Sequence, residues 1–193
     1  MLKSLNAVLA CLWVALLSSC ASDQTTSERY YLSSDIPASA FDNMQVKVQL
    51  NEILNTGGIV LEQNDVNVYV AKSNRWASNL AQQLSAIFYT RIKDLDFSQG
   101  VRFILYFSKF NGSLDGFAHI IMSVRMVGED GKEMLVQDYV YREPVLEDGY
   151  QALVQALKAG YMKLIDDFIA GRELAAISGS GTQTRGQARR AEY

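Results

Sequence analysis

His119 and four acidic pairs are the residues in this chain whose types could support acid–base or metal chemistry. The pairs are Asp94 with Asp96, Glu129 with Asp130, Glu147 with Asp148, and Asp166 with Asp167. Glycosidic hydrolysis needs two carboxylates flanking a cleft. Carboxylates adjacent in sequence more simply solvate loops, or favour a helix N-terminus as Glu147 and Asp148 are placed to do. One histidine without cysteine partners supplies too few ligands for a zinc site. There is no Gly-x-Ser-x-Gly elbow, P-loop or dinucleotide glycine pattern. The reading is of a non-enzymatic chain with no catalytic residues, no metal and no cofactor.

Cys20 is the residue placed for covalent chemistry, and that chemistry is acylation. Met1 to Ser19 carries one early cation, Lys3, and then an uncharged apolar run ending in Leu17-Ser18-Ser19-Cys20. A cationic start, a short apolar stretch and small residues before a cut describe a secretory signal peptide. The run from Leu5 to Leu17 is too short to span the roughly 30 Å of bilayer hydrocarbon. Leu-Ser-Ser-Cys resembles the bacterial lipobox, in which the Cys is acylated after the leader is removed. The expected organisation is a signal peptide over residues 1–19 and a lipid-anchored tether over 20–28. A single domain over 29–172 and a disordered tail over 173–193 follow. Ala21 follows Cys20, and the missing Asp favours the outer membrane of a Gram-negative envelope, with the domain facing the periplasm.

The bulk numbers agree with an ordinary globular domain. The chain has 193 residues, 49% apolar and 20% charged, enough to bury a core. Its two cysteines are Cys11, lost with the leader, and Cys20, consumed by lipid, so disulfides and thiol catalysis are excluded from the mature chain. A formal charge of −3 gives no basic footprint for nucleic acid.

Periodicity sets out the elements. Met44, Val46, Val48 and Leu50 alternate with polar residues, as in a half-buried strand. After the Gly57-Gly58 turn, Ile59 to Leu61 and Val66, Val68 and Val70 predict a strand pair. Trp76, Leu80, Leu84, Ile87, Phe88 and Ile92 form a helical stripe. Phe103 to Phe107 is apolar at every position, which predicts a strand covered on two sides. Asn111-Gly112 with Asp115-Gly116, and then Glu129 to Lys132, are turns that make the last three strands an antiparallel meander. Ala118, Ile120, Met122, Val124 and Met126 should line its inner face, with His119 on the outer one.

Asp148 and Gln151 suggest a capping box ahead of a long helix that carries Tyr150 through Phe168, tightly packed at Gly160 and ended by Gly171. The fold class is α/β: a mixed, largely antiparallel sheet packed with two long helices. Tyr30, Tyr31, Tyr139, Tyr141, Tyr150 and Trp76 exceed what such a core requires, and aromatic side chains are favoured at interfaces.

In this order, Tyr30-Tyr31-Leu32, Asn74-Arg75-Trp76-Ala77-Ser78, Phe110-Asn111-Gly112 with Asp115-Gly116, and Asp148-Gly149-Tyr150 resemble the ABC-type transport auxiliary lipoproteins. This is the family of paraquat-inducible protein C, and the resemblance runs over roughly Tyr30 to Ala170. Asn51 and Asn79 stand where that family often has Pro. The resemblance implies an anticodon-binding-like α/β sandwich. It also implies an outer-membrane docking component for a mammalian-cell-entry-type, periplasm-spanning lipid transport protein, assembled as a homo-oligomeric ring. Tyr30, Tyr31 and Trp76 would be partner-interface or structural residues. The alternative is a stand-alone lipoprotein that binds a small hydrophobic ligand.

Overall fold

The computed structural model describes residues 27–64 and 66–177, with side chains through Arg172. Its strands are β1 (Glu28–Tyr30), β2 (Val46–Leu50), β3 (Gly58–Glu62), β4 (Val68–Trp76), β5 (Val101–Ser113), β6 (Phe117–Gly128) and β7 (Glu133–Pro144). Two helices, α1 (Leu80–Ile92) and α2 (Tyr150–Ile177), complete the fold. One mixed seven-stranded sheet runs in the order β1-β4-β3-β5-β6-β7, and β2 joins it by pairing with β5. β5, β6 and β7 are the expected meander. β2 and β3 both run parallel to β5, β2 along Phe103–Phe107 and β3 at Gly112–Ser113.

Both helices lie on one face of this sheet. The stripe Leu80, Leu84, Ile87, Phe88 and Ile92 of α1 is buried, as are Leu153, Leu157, Tyr161, Ile165 and Phe168 of α2. They meet the inner residues of the meander, where Phe103, Leu105 and Phe107 face Met126, Val124 and Met122 in register. Phe168 is the hub: its ring centroid is 5.7 Å from Phe88, 5.9 Å from Phe97, 6.1 Å from Phe103 and 6.5 Å from Tyr139. Tyr161 crosses between the helices, its hydroxyl donating to the Leu84 carbonyl at 2.9 Å, and complete burial pushes that phenol well above its ordinary pKa. An Arg91–Asp166 ion pair links the helices at the surface.

Several expectations change. Ile104 is half-buried and Tyr106 is 44% exposed, so β5 is covered on one side only along Phe103 to Phe107. Its apolar outer positions are explained by neighbouring strands rather than by a second helical layer. Met44 and Val66 are exposed and lie outside the strands. Trp76 ends β4 instead of opening α1. Its N–H donates to Gly57 O at 2.9 Å and that of Ala77 to Tyr30 O at 2.8 Å, which keeps the chain extended there. The helix starts only after Asn79, whose side chain accepts the Gln82 N–H at 3.1 Å. Gly149, with φ of 100°, directly precedes α2 where Asp148 was expected to cap it. At the other end, α2 passes Gly171 and reaches Ile177. One helical glycine costs about 1 kcal/mol, which the helix-favouring Arg172 to Ala176 that follow offset.

The tight packing expected at Gly160 is present: a Cβ there would run into the Tyr141 ring. An exposed helical Gly→Ala change gains about 1 kcal/mol. Gly160→Ala should instead destabilise by about 1–2 kcal/mol, because the ring must leave its seat. In a Tyr141→Ala background the same change should become stabilising. Urea titration of the four variants of that cycle decides the point, and an equal effect in both backgrounds would contradict the contact.

Candidate docking surface

The face of the meander opposite the helices is open at Tyr106, Arg125, Val136, Asp138 and Val140 and closed at Asn111, which is 3% exposed, and register fixes its grid. Ile104 of β5 lies beside Arg125 of β6 and that beside Val136 of β7; Tyr106 is followed in the same way by Ser123 and Asp138. Lys109 lies beside Ile121 and then Val140, and Asn111 beside His119 and then Arg142. β2 adds Lys47 next to Ile104 and Gln49 next to Tyr106. Alternation dictates this arrangement, since every second residue of the meander is committed to the core. Tyr106, Val136 and Val140 are 44%, 37% and 54% exposed, so this face presents apolar side chains to solvent, interleaved with Ser123, Arg125 and Asp138.

Charged side chains lie among and around these residues. Lys109 Nζ approaches Glu62 at 2.6 Å, Arg125 approaches Glu133 at 3.0 Å, and Arg142 approaches Asp115 at 3.2 Å while lying 3.6 Å over the Phe117 ring. Asp138 accepts from the Ser123 hydroxyl. His119, expected at the surface, is half-buried with Nδ1 3.5 Å from Glu62. Burial pushes the Glu62 carboxyl upward. The hydrogen bond and charge of Lys109 overcome that and hold it below its ordinary range, with His119 and Asn111 adding to the effect. Burial and then Lys109 push the His119 imidazole down against the pull of Glu62, so it is neutral at pH 7. This cluster fastens β3 to β5, which share only two residue pairs.

A second feature lies where the β5–β6 hairpin meets the start of α2. Leu61, Leu114, Phe117, Val145, Tyr150 and Leu153 line a groove of about 230 Å³. Gly112 packs closely against two of these residues: a Cβ there would meet Leu153 at 2.6 Å and Leu61 at 2.8 Å. A larger trough of about 420 Å³ between the helix ends is lined by Thr90, Arg91, Leu95, Asp166, Ile169 and Ala170. No described helix is long and apolar enough to cross a membrane.

The residues singled out from sequence separate in space. Trp76 is 4% exposed, its ring 6.0 Å from Phe110, and it packs in the core. Tyr139 is buried and Tyr141 and Tyr150 are half-buried, so most of the supposed aromatic surplus is consumed by packing. Tyr30 is half-buried, its hydroxyl on Glu28 and 3.2 Å from Asn74 Oδ1; burial and then Glu28 push its pKa up to about 12. Tyr31, at 59% exposed, is the member of the group that faces solvent. Sequence reasoning missed Tyr106, Val136 and Val140. The signal was there in the strand alternation, but a sheet face covered by helices would show the same residues. Cys20 lies outside the described residues.

A family model described as ABC-type transport auxiliary lipoprotein component matches residues 44–102. The family resemblance read from the sequence stands. The match spans β2 through α1 and enters β5, and so takes in Asn74 to Ser78 but not the other segments that suggested the auxiliary lipoproteins. A solved structure of a protein described as uncharacterized is 21% identical, with a TM-score of 0.61 over 77% of this chain and 99% of that one. Protein XCC0632 from Xanthomonas campestris, of the DUF330 family, is 12% identical, with a TM-score of 0.60 over 72% and 88%. At these identities the likeness shows the fold. No curated protein matches the chain significantly. Over residues 44–102 the chain is similar to the auxiliary lipoprotein components of ABC-type transport.

Proposed function

We propose that this chain is a lipid-anchored outer-membrane protein that docks a periplasm-spanning, mammalian-cell-entry-type component of a lipid transport system serving membrane integrity. The observation that carries the reading is a sheet face that exposes Tyr106, Val136 and Val140 above a filled core, in a chain whose residues 44–102 match the transport auxiliary lipoproteins. Exposed apolar area framed by charge is the composition of a protein-binding surface. Leu17-Ser18-Ser19-Cys20 supports the anchor, and the family's description as an auxiliary component supports a role without catalysis.

The alternative, a stand-alone carrier of a hydrophobic ligand, needs a cavity that encloses one. Small-molecule sites run from about 300 to 1,000 Å³ and cover most of the ligand. The apolar groove beside α2 is smaller, at about 230 Å³, and the larger trough is crossed by the Arg91–Asp166 pair. Affinity purification of the intact lipoprotein from crosslinked envelopes, followed by mass spectrometry, tests the proposal. Co-recovery of a mammalian-cell-entry-type protein is the expected result. Recovery of the lipoprotein alone with bound lipid would move the function to the carrier.

A further inference from the structure

β7 ends the sheet, and its outer edge is the longest unpaired edge among the described residues. Such edges are normally blunted by shortness, lysine, proline or a bulge. The opposite edge, β1, is only three residues long. β7 has twelve residues and no lysine, its one proline is its last residue, and its irregularity against β6 lies near its start, opposite Met126 and Val127. The stretch from Val136 to Glu143 is thus regular, and Val136 and Val140 are exposed on the open face.

The side chains of that stretch are complementary to themselves in one antiparallel register. For a two-fold axis normal to the sheet, the open faces stay on one side only when the axis passes through a residue. Through Asp138 it would oppose two like charges, which is unfavourable. Through Tyr139 it would set Asp138 against Val140 and Val136 against Arg142, and through Tyr141 it would set Val140 against Arg142. Through Val140 it sets Asp138 against Arg142 twice, Val140 against Val140, and Tyr139 against Tyr141 twice on the helix side. Arg142 has donors to spare for this while it keeps Asp115, because a guanidinium carries five N–H groups.

We infer that the occupant of this edge is a second copy of the chain, paired antiparallel β7 to β7 about Val140, so that two sheets become one continuous sheet. The interface is isologous, each patch being its own complement. The inference does not depend on the docking role.

The test uses the full chain in detergent, with mass measured by light scattering as concentration is raised. The expected species is a dimer, in place of the ring that the family resemblance implied, and a larger closed ring without β7–β7 pairing would overturn the inference. Asp138→Arg alone and Arg142→Asp alone each place like charges in opposition twice, and each should raise the dimer Kd about tenfold or more. The double exchange restores the opposition and should return the Kd to near that of the unmodified chain. Circular dichroism melts of each variant separate a lost interface from a lost fold. Val140→Cys should give a disulfide-linked dimer on mild oxidation, since directly opposed Cβ atoms lie about 4.5–5.5 Å apart, whereas Val136→Cys should not. A monomer at every concentration would overturn the inference. So would a dimer indifferent to the charge exchange, equal crosslinking at positions 136 and 140, or a different polypeptide found paired to β7.

Discussion

Phe168→Ala is expected to cost about 3–5 kcal/mol, the range for removing a buried aromatic ring. The ring is fully buried and touches four others, one on α1, two on strands, and Phe97 in the turn that leads into β5. Truncation would leave a void that these rings cannot fill without leaving their rotamers, because α2 is held in place by the fully buried Ile165 and Tyr161 one and two turns before it. Domains have roughly 5–15 kcal/mol of net stability, so the loss consumes a large share of it. Thermal unfolding should begin about 10 °C lower or more. A melting point within 2–3 °C of the unmodified chain would show that Phe168 is not the hub.

Cys20→Ala is expected to abolish outer-membrane attachment. Each buried methylene contributes about 0.8 kcal/mol and two or more acyl chains hold stably, whereas an unacylated chain has no such term. The variant should fractionate as soluble, or stay in the inner membrane with its leader uncut. Sucrose-gradient separation of envelopes, with immunodetection, reads the outcome directly. An unchanged outer-membrane distribution would refute the lipid anchor. Phe168→Ala and Cys20→Ala act on different links, since the first should destabilise a protein that is still anchored and the second should leave a folded one without its outer-membrane attachment.

Much of the fold could be read from alternation and periodicity because those patterns are set by burial on one face. Ala118 through Met126 and Leu80 through Ile92 were legible for that reason. Trp76 was not: its spacing to Leu80 is helical, but hydrogen bonds from β1 and from the Gly57 turn hold it in β4, and these come from residues distant in sequence. The parallel pairing of both β2 and β3 with β5 was equally hidden, since local pattern carries no record of which edge a strand will reach. The open face was misread because Ile104 and Tyr106 are apolar whether a helix or nothing lies above them. Tyr31 was identifiable as a surface aromatic only once Tyr30, Tyr139 and Trp76 had been placed.

The strand order has a mechanical consequence for a chain held by its N-terminus. The first described strand, β1, is one margin of the sheet and β7 is the other, five interstrand steps away. At about 4.8 Å per step the two margins stand roughly 24 Å apart. Under the proposed lipid anchor the tether would enter the sheet at β1, and the β7 margin would be the part of the sheet farthest from that attachment, free to meet a partner.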